Sequence, residues 1–272
     1  MKYKLIFTDM DGTLLNKDKL ISKEDMEAIK KAEEMGVKTV ICSGRSYMSL
    51  QYFVNILGFD KDEYYAVGYN GGIVYKTKNN EIIIQHKMKL EYAKKLLSEC
   101  RKFDIDIILY NDDKIIVEKM TEEVRQYCEM SKLEPVMVGK YEDIMKDDIS
   151  KILLKGSNDK LKYIYMHFLN SEFTENVDMF FSSERLLEFN PKNVNKGSAI
   201  KELCDHLGIS TDETIGIGDS YNDIEMIEIS GTGVAVRNAN DEVKQKADYI
   251  TKRTNNESAF SEVVGKFIFG IG

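Results

Sequence analysis

Near its start the chain runs Tyr3-Lys4-Leu5-Ile6-Phe7 and continues directly as Thr8-Asp9-Met10-Asp11-Gly12-Thr13-Leu14-Leu15. The first run is short and apolar and reads as a buried strand. Two carboxylates, two residues apart, follow where the apolar run stops, and a glycine comes straight after them. Side chains at i and i+2 of a strand share a face, so Asp9 and Asp11 are expected to converge on one small volume. At ~4 Å two like charges repel by ~1 kcal/mol in water and ~4 kcal/mol at an intermediate dielectric. A cation between them, or a proton on one, relieves that cost. Gly12 lets the backbone turn sharply and lets a ligand approach closely. An isolated Asp-x-Asp-Gly can equally be an acidic turn that ends a strand, and the rest of the chain decides between the two.

Ser22-Lys23-Glu24-Asp25 has the form of a capping box and opens an amphipathic helix with Met26, Ile29 and Ala32 on one face, closed by Gly36. Residues 37–42 read as a second strand and run into Ser43-Gly44-Arg45. Strand, helix, strand in this order predicts a right-handed βαβ unit with parallel strands. Ligands of such sheets bind beyond the carboxyl ends of the strands, so Asp9 and Ser43 are expected on one rim. Ser43 brings a hydroxyl there, and Gly44 exposes main-chain N–H groups to an anion. A helix over 48–57 and a strand over 65–69 follow, the strand reaching Asn70-Gly71-Gly72, and residues 73–75 continue after that turn.

From about residue 81 the texture changes. An Ile82-Ile83-Ile84 run, a helix over 91–103, a hairpin of strands 105–110 and 115–118 turning at Asn111-Asp112-Asp113, a helix over 122–132, a strand at 152–155, a helix over 159–169 and a strand pair at 177–181 and 186–189 follow. Residues 85–187 are therefore expected to form an inserted α+β module, with 1–84 and 188–272 as the core. The core pattern resumes at Asn195-Lys196-Gly197-Ser198, which opens a helix with Ala199, Ile200, Leu203, Cys204 and Leu207 inward and Gly208 at its end. The strand 213–217 then runs into Gly218-Asp219-Ser220-Tyr221-Asn222-Asp223. A helix with Met226 and Ile227, a strand at 232–236, a helical turn over 241–247 and a strand at 248–251 complete the pattern. The closing Phe267-Ile268-Phe269 reads as core or tail.

The 272 residues, 43% of them hydrophobic, suffice for a sizeable core. A formal charge of -8 argues against a nucleic-acid partner, whose phosphates call for a basic face. Cys42, Cys100, Cys128 and Cys204 are scattered with no paired spacing, so they read as reduced, buried thiols of a cytoplasmic protein. His86, His167 and His206 are isolated. No apolar run approaches the ~18 residues of a membrane helix and no signal peptide is evident. The expectation is a soluble cytoplasmic chain without a membrane partner.

Asp9 with Asp11, Ser43, Lys196, and Asp219 with Asp223 thus fall at strand ends or helix starts on one rim. Four crowded carboxylates call for a hard cation, and a donor set of oxygens with no soft ligand points to Mg²⁺. A lysine and a hydroxyl beside it suit a phosphate, with Lys196 as a point charge. Taken singly, Lys196 is a helix-start lysine and Asp219 and Asp223 are loop acids. Their joint occurrence in this order is what carries the reading.

The chain here resembles the haloacid dehalogenase superfamily of aspartate-nucleophile phosphotransferases. Asp9-Met10-Asp11-Gly12-Thr13 looks like its first motif, Ser43 its second, Lys196 its third, and Gly218-Asp219-Ser220-Tyr221-Asn222-Asp223 its fourth. Asn70-Gly71-Gly72, Val194-Asn195-Lys196-Gly197 and Gly233-Val234-Ala235-Val236-Arg237-Asn238-Ala239 fit the Cof-type phosphatases, subfamily IIB. That likeness implies a doubly wound, Rossmann-like α/β core with an α+β cap inserted between the second and third motifs. Two departures concern the rim: Arg237 stands where many relatives carry glycine, and Ser258-Ala259-Phe260 replaces a glycine-valine pair.

The resemblance implies Asp9 as nucleophile, giving an aspartyl-phosphate, and Asp11 as acid then base. It implies Mg²⁺ held by Asp9, the Asp11 carbonyl and Asp219, with Asp223 bound directly or through water and fixing Lys196. Phosphate would be held by Asp9, Met10, Asp11, Gly12, Ser43, Gly44, Lys196 and Asn222. The expected substrate is a small phosphorylated metabolite such as a sugar phosphate, the protein a monomer or homodimer, and the cap a lid that sets selectivity. A phosphosugar mutase of the same superfamily and a phosphate-sensing binding protein are the alternatives. Release of free phosphate excludes the first, and any turnover excludes the second.

Overall fold

The structure is a computed structural model that describes residues 2–60, 63–111, 114–131 and 133–271. In chain order the elements are β1 Leu5–Thr8, α1 Lys23–Glu34, β2 Lys38–Cys42, α2 Tyr47–Leu57, β3 Tyr65–Gly68, β4 Ile73–Lys76 and β5 Glu81–Gln85. Next come α3 Leu90–Cys100, β6 Asp106–Asn111, β7 Lys114–Val117, α4 Glu122–Ser131, β8 Pro135–Met137, β9 Lys151–Lys155, α5 Asn158–Leu169, β10 Val177–Ser183 and β11 Leu186–Pro191. The chain closes with α6 Lys196–Leu207, β12 Thr214–Gly218, α7 Ile224–Ile229, β13 Thr232–Ala235, α8 Asp241–Lys246, β14 Tyr249–Ile250 and α9 Ala259–Phe267.

It divides into two compact units, one of Met1–Gly44, Gln51–Ile84 and Asn195–Gly272, the other of Arg45–Leu50 and Gln85–Val194. The first unit is built on the sheet order β14-β13-β12-β1-β2-β3-β4-β5. Its run from β14 to β3 is parallel and β4 returns antiparallel to β3. Strands buried on both faces read as unbroken apolar runs, as Leu5-Ile6-Phe7 does. Phe7, Val40, Val67, Val74, Ala199, Ile200, Leu203 and Met226 pack as one cluster, which ties the strands to α6 and α7. Ser22 caps α1 by accepting from the Asp25 N–H, and Asn195 caps α6 with Ser198 in a reciprocal box.

The inward stripe of α1 differs from the expected one. Asp25, Ala28, Ile29 and Ala32 are buried, whereas Met26 stands 36% exposed. The i, i+3, i+4, i+7 spacing runs through the acid Asp25, which an apolar pattern does not count as an inward position.

The second unit carries the sheet order β10-β11-β9-β6-β7-β8. Ile107, Leu109, Ile152, Leu154, Leu187 and Phe189 line one face and pack against Leu96, Leu97 and Cys100 of α3 and Leu161, Ile164 and Phe168 of α5. By strand alternation Tyr110, Lys151 and Glu188 belong to the opposite face. Lys151 Nζ sits 2.9 Å from Glu188 and 4.7 Å over the Tyr110 ring, and both charged groups are sealed from water.

The boundary expected at 187/188 lies at 194/195. All of β11 pairs in the second sheet, between β10 and β9, so the chain leaves that unit only after Pro191. Arg45–Leu50 also belongs to it, and Ser49 Oγ donates to the Ser131 carbonyl at 2.7 Å. The strand β8, parallel to β7, was not anticipated, because a three-residue strand opened by proline carries no alternation to read. Of the expected hairpin turn and helix end, Asp112, Asp113 and Lys132 lie outside the described residues. Phe267 ends a helix, α9, which packs beside α1.

Candidate active site

The candidate residues of the first unit gather where its parallel strands end. Asp9 follows β1, Ser43 follows β2, Asn70 follows β3 and Asp219 follows β12. The Asp9 N–H donates to the Ile217 carbonyl at 2.9 Å, which extends the β1–β12 pairing by one residue and fixes where the carboxylate departs. Gly218 is the last residue of β12, and a Cβ there would fall 2.3 Å from that of Asp223, so the short turn to Asp223 leaves room for no side chain.

Lys196, the first residue of α6, lies at the centre and is fully buried. Its ammonium donates to Asp9 Oδ1 and to Asp223 Oδ1, both at 2.5 Å. The other oxygen of Asp223 accepts from the Asp219 N–H at 2.9 Å and the Ser220 N–H at 3.0 Å. Asp223 therefore anchors the lysine and shapes the Asp219 turn at once. Asp219 Oδ1 accepts from Thr13 Oγ1 at 2.8 Å. Gly12 sits at φ +93, and a Cβ on it would meet the Asp219 carboxylate at 2.5 Å, so glycine is required both for the turn and for the approach.

Burial drives the electrostatics. It holds the Asp9 carboxyl well above the usual range against the pull of Lys196, with Asp223 and Asp219 raising it further. It pushes Asp219 up to about 7, with the Asp223 charge adding and the Thr13 hydroxyl opposing. Burial would lower Lys196, but Asp223 and Asp9 outweigh it and its charge is held firmly.

Carboxylate oxygens of Asp9, Asp219 and Asp223 lie within 4.8 Å of one another. Three acids gather there around one ammonium that pairs with two of them, Asp9 and Asp223, and the donors are all hard oxygens. Such a set fits a divalent cation of the Mg²⁺ type. Its chemistry would be to draw charge from a transferring phosphoryl group.

Asp11 does not join this group through its carboxylate. That side chain turns to Lys19, 2.8 Å away, and is 36% exposed. The strand ends at Thr8, so the i, i+2 rule no longer governs Asp11 once the Gly12 turn begins. The Met10 side chain is fully buried, leaving only its main chain to a ligand. Ser43 is buried, its N–H donating to Val67 and its carbonyl accepting from Asn70. Asn222 Nδ2 donates to Asn70 Oδ1 at 2.9 Å, so the amide expected on phosphate is engaged by another side chain. A Cβ on Gly44 would press on the Asn70 amide at 2.9 Å. Asn70, buried at φ +53, thus links the Ser43 and Asn222 loops. The Asn-Gly-Gly turn signal marked its place in the sequence without giving it this part.

The model of the haloacid dehalogenase-like hydrolase family matches residues 6–264, and the chain belongs to that family. It is accordingly a hydrolase of the phosphatase kind within the haloacid dehalogenase superfamily. The chain is 29% identical over 271 residues to a phosphoglycolate phosphatase of Methanobrevibacter smithii, covering 98% of this chain and 100% of that one. It is 27% identical over 293 residues to the Bacillus subtilis 5-amino-6-(5-phospho-D-ribitylamino)uracil phosphatase YwtE, covering 98% and 99%. Among solved structures, a haloacid dehalogenase-like hydrolase of Bacteroides thetaiotaomicron matches with a TM-score of 0.88 and 29% identity over 97% of this chain and 99% of that one.

Proposed function

We propose that the protein is a Mg²⁺-dependent phosphatase of small phosphomonoesters, sugar phosphates and similar metabolites, working through an aspartyl-phosphate on Asp9. The observation that carries this reading is the buried group of Asp9, Asp219, Asp223 and Lys196 at the ends of parallel strands. Asp9, the main chain of Asp11, Asp219 and Asp223 would hold the cation. A carboxylate oxygen of Asp9 attacks phosphorus, the bond to the leaving oxygen breaks, and that oxygen takes a proton from Asp11. Water then attacks the phosphoryl group, gives its proton back to Asp11, and releases the Asp9 carboxylate with inorganic phosphate. Ser43, Gly44, Lys196 and the main chain of residues 10–12 neutralise the phosphoryl oxygens. Asn222 acts through Asn70, which it grips.

The two relatives named above carry different leaving groups at similar identity. That supports small phosphomonoesters as a class without selecting one. The same reading places the enzyme in the cytoplasm, and among the described residues no helix is long and apolar enough to cross a membrane. We also assign selectivity to the inserted unit, which holds none of the residues given chemical roles.

The test is turnover of an aryl phosphate with and without Mg²⁺, with mass spectrometry of acid-quenched protein. The expected result is Mg²⁺-dependent phosphate release and one added phosphoryl group at Asp9. Asp9→Asn should abolish both while the apo protein unfolds at the same or a higher temperature, since a buried negative charge has been removed. Turnover by clean Asp9→Asn protein would rule out the covalent route.

A further inference from the structure

The turn that carries Asp11 closes partly on itself: the Met10 carbonyl accepts from the N–H groups of Thr13 at 3.4 Å and Leu15 at 2.8 Å. Two other carbonyls of the turn are taken by side chains from far along the chain. Asn238 Nδ2 donates to the Gly12 carbonyl at 2.8 Å, and Asn255 Nδ2 donates to the Leu15 carbonyl at 2.8 Å. The two asparagines are themselves joined, the Asn255 N–H donating to Asn238 Oδ1 at 2.9 Å. Just beyond, Asn256 Oδ1 accepts from the Lys17 N–H at 2.8 Å.

We propose that Asn238 and Asn255 are positioning residues, a brace that holds the Met10–Leu15 turn in register for catalysis. The turn has three jobs at once. It presents Asp11, it bends at Gly12 with φ +93, and it keeps Thr13 on Asp219. A glycine bend has no side chain to fix it, and two of the turn's own hydrogen bonds converge on the Met10 carbonyl. An outside donor on the Gly12 carbonyl sets the orientation of that peptide. Asparagine suits position 238 because one planar amide offers a donor to Gly12 and an acceptor to Asn255 together. Aspartate of the same shape keeps the acceptor, loses the donor, and sets a carboxylate against a carbonyl.

The proposal rests on the phosphatase reading, and its test separates the two. Asn238→Ala, Asn238→Asp and Asn255→Ala are compared with the wild type on an aryl phosphate at saturating Mg²⁺, with thermal unfolding of each protein and of the Asn238→Ala/Asn255→Ala double variant. The expected kcat loss is about 10–10²-fold for all three single variants, the scale of a displaced reacting group. KM should stay within about three-fold, because Ser43, Gly44 and Lys196, which share the phosphoryl oxygens with the main chain of residues 10–12, lie off the turn and still hold the substrate. Asn238 is exposed, so its variants should stay folded with only a modest drop in unfolding temperature, and they decide the matter even if the buried Asn255 variant does not fold. Both Asn238 variants turning over within about three-fold of wild type would overturn the brace. A raised KM with kcat retained would overturn it too, making Asn238 a substrate contact. A wild type with no phosphatase activity sinks the functional reading alone. The brace is then judged by unfolding: it requires the double variant to fall short of the summed single shifts, and additive shifts would end it.

Discussion

Asp11 and Lys19 form an ion pair at the surface, and the proposed acid–base group must leave it to reach a leaving oxygen. Pairs this exposed contribute about 1 kcal/mol at most, so their release is worth no more than about five-fold in rate. Lys19→Met should therefore leave kcat unchanged or raise it up to that factor, with KM little altered. A ten-fold drop in steady-state kcat would mean that Lys19 serves the reaction directly. The course of the Asp11 side chain could not be read from residue spacing, because pleat geometry ends with β1 at Thr8. Asp9, Lys196, Asp219 and Asp223 were legible because each sits where an apolar run gives way to a polar turn in a chain of βα units. Asn70, Asn238 and Asn255 were not. Their meaning lies in carbonyls and amides that folding brings to them, over 200 residues away for Asn238 and Asn255. No local pattern records such a meeting.

At the scale of elements, α1 and α9 are joined through a buried carboxylate. Asp25 accepts from the Ser261 N–H at 2.8 Å and from Ser22 Oγ at 2.9 Å, and burial pushes it up to about 6 from an ordinary 3.8. A raised acid binds its proton more tightly folded than unfolded. Its contribution is therefore full below pH 3.8, declines as pH rises to about 6, and is flat above. A gap of about two units corresponds to about 3 kcal/mol. Asp25→Asn should remove that decline between about pH 4 and 6 in urea unfolding compared with the wild type; parallel curves would show that Asp25 stays ionised throughout. The second sheet offers a complementary case in Lys151 and Glu188, 1% and 3% exposed. Lys151→Met leaves a buried carboxylate without its cation and should cost about 3–5 kcal/mol in chemical denaturation. Lys151→Met/Glu188→Leu should recover most of this, and a double variant as unstable as the single would show that the pair is held for other reasons. The parallel order of the core was readable from the βα alternation. The extent of the insertion was not, since the last strand of one unit and the first helix of the next are separated by only Lys192-Asn193-Val194-Asn195.

For the molecule as a whole, the residues given chemical roles belong to one unit, while the other has its own sheet and its own core. Under the proposed division of labour, charge or size changes at exposed residues of the second unit should reorder a panel of phosphorylated metabolites without altering the Mg²⁺ titration or Asp9 labelling. A shifted metal titration with an unchanged ranking would refute that division. The core sheet has a further consequence for how the protein comes into being. Its central strand β1 pairs on one side with β2, close by in the chain, and on the other with β12, about 200 residues later. At about 5–20 residues per second a ribosome takes roughly 10–40 s to cover that distance. Throughout that interval β1 has been made and its second partner has not, so an apolar strand edge waits unpaired while the whole inserted unit emerges. Asp9 is made together with β1, yet it acquires the Lys196 ammonium and the Asp219 turn only after the inserted unit has been made. A nascent chain is thus without its candidate site until β12 and the turn after it have been made, and any premature stop before β12 leaves a polypeptide with an open sheet and an incomplete site.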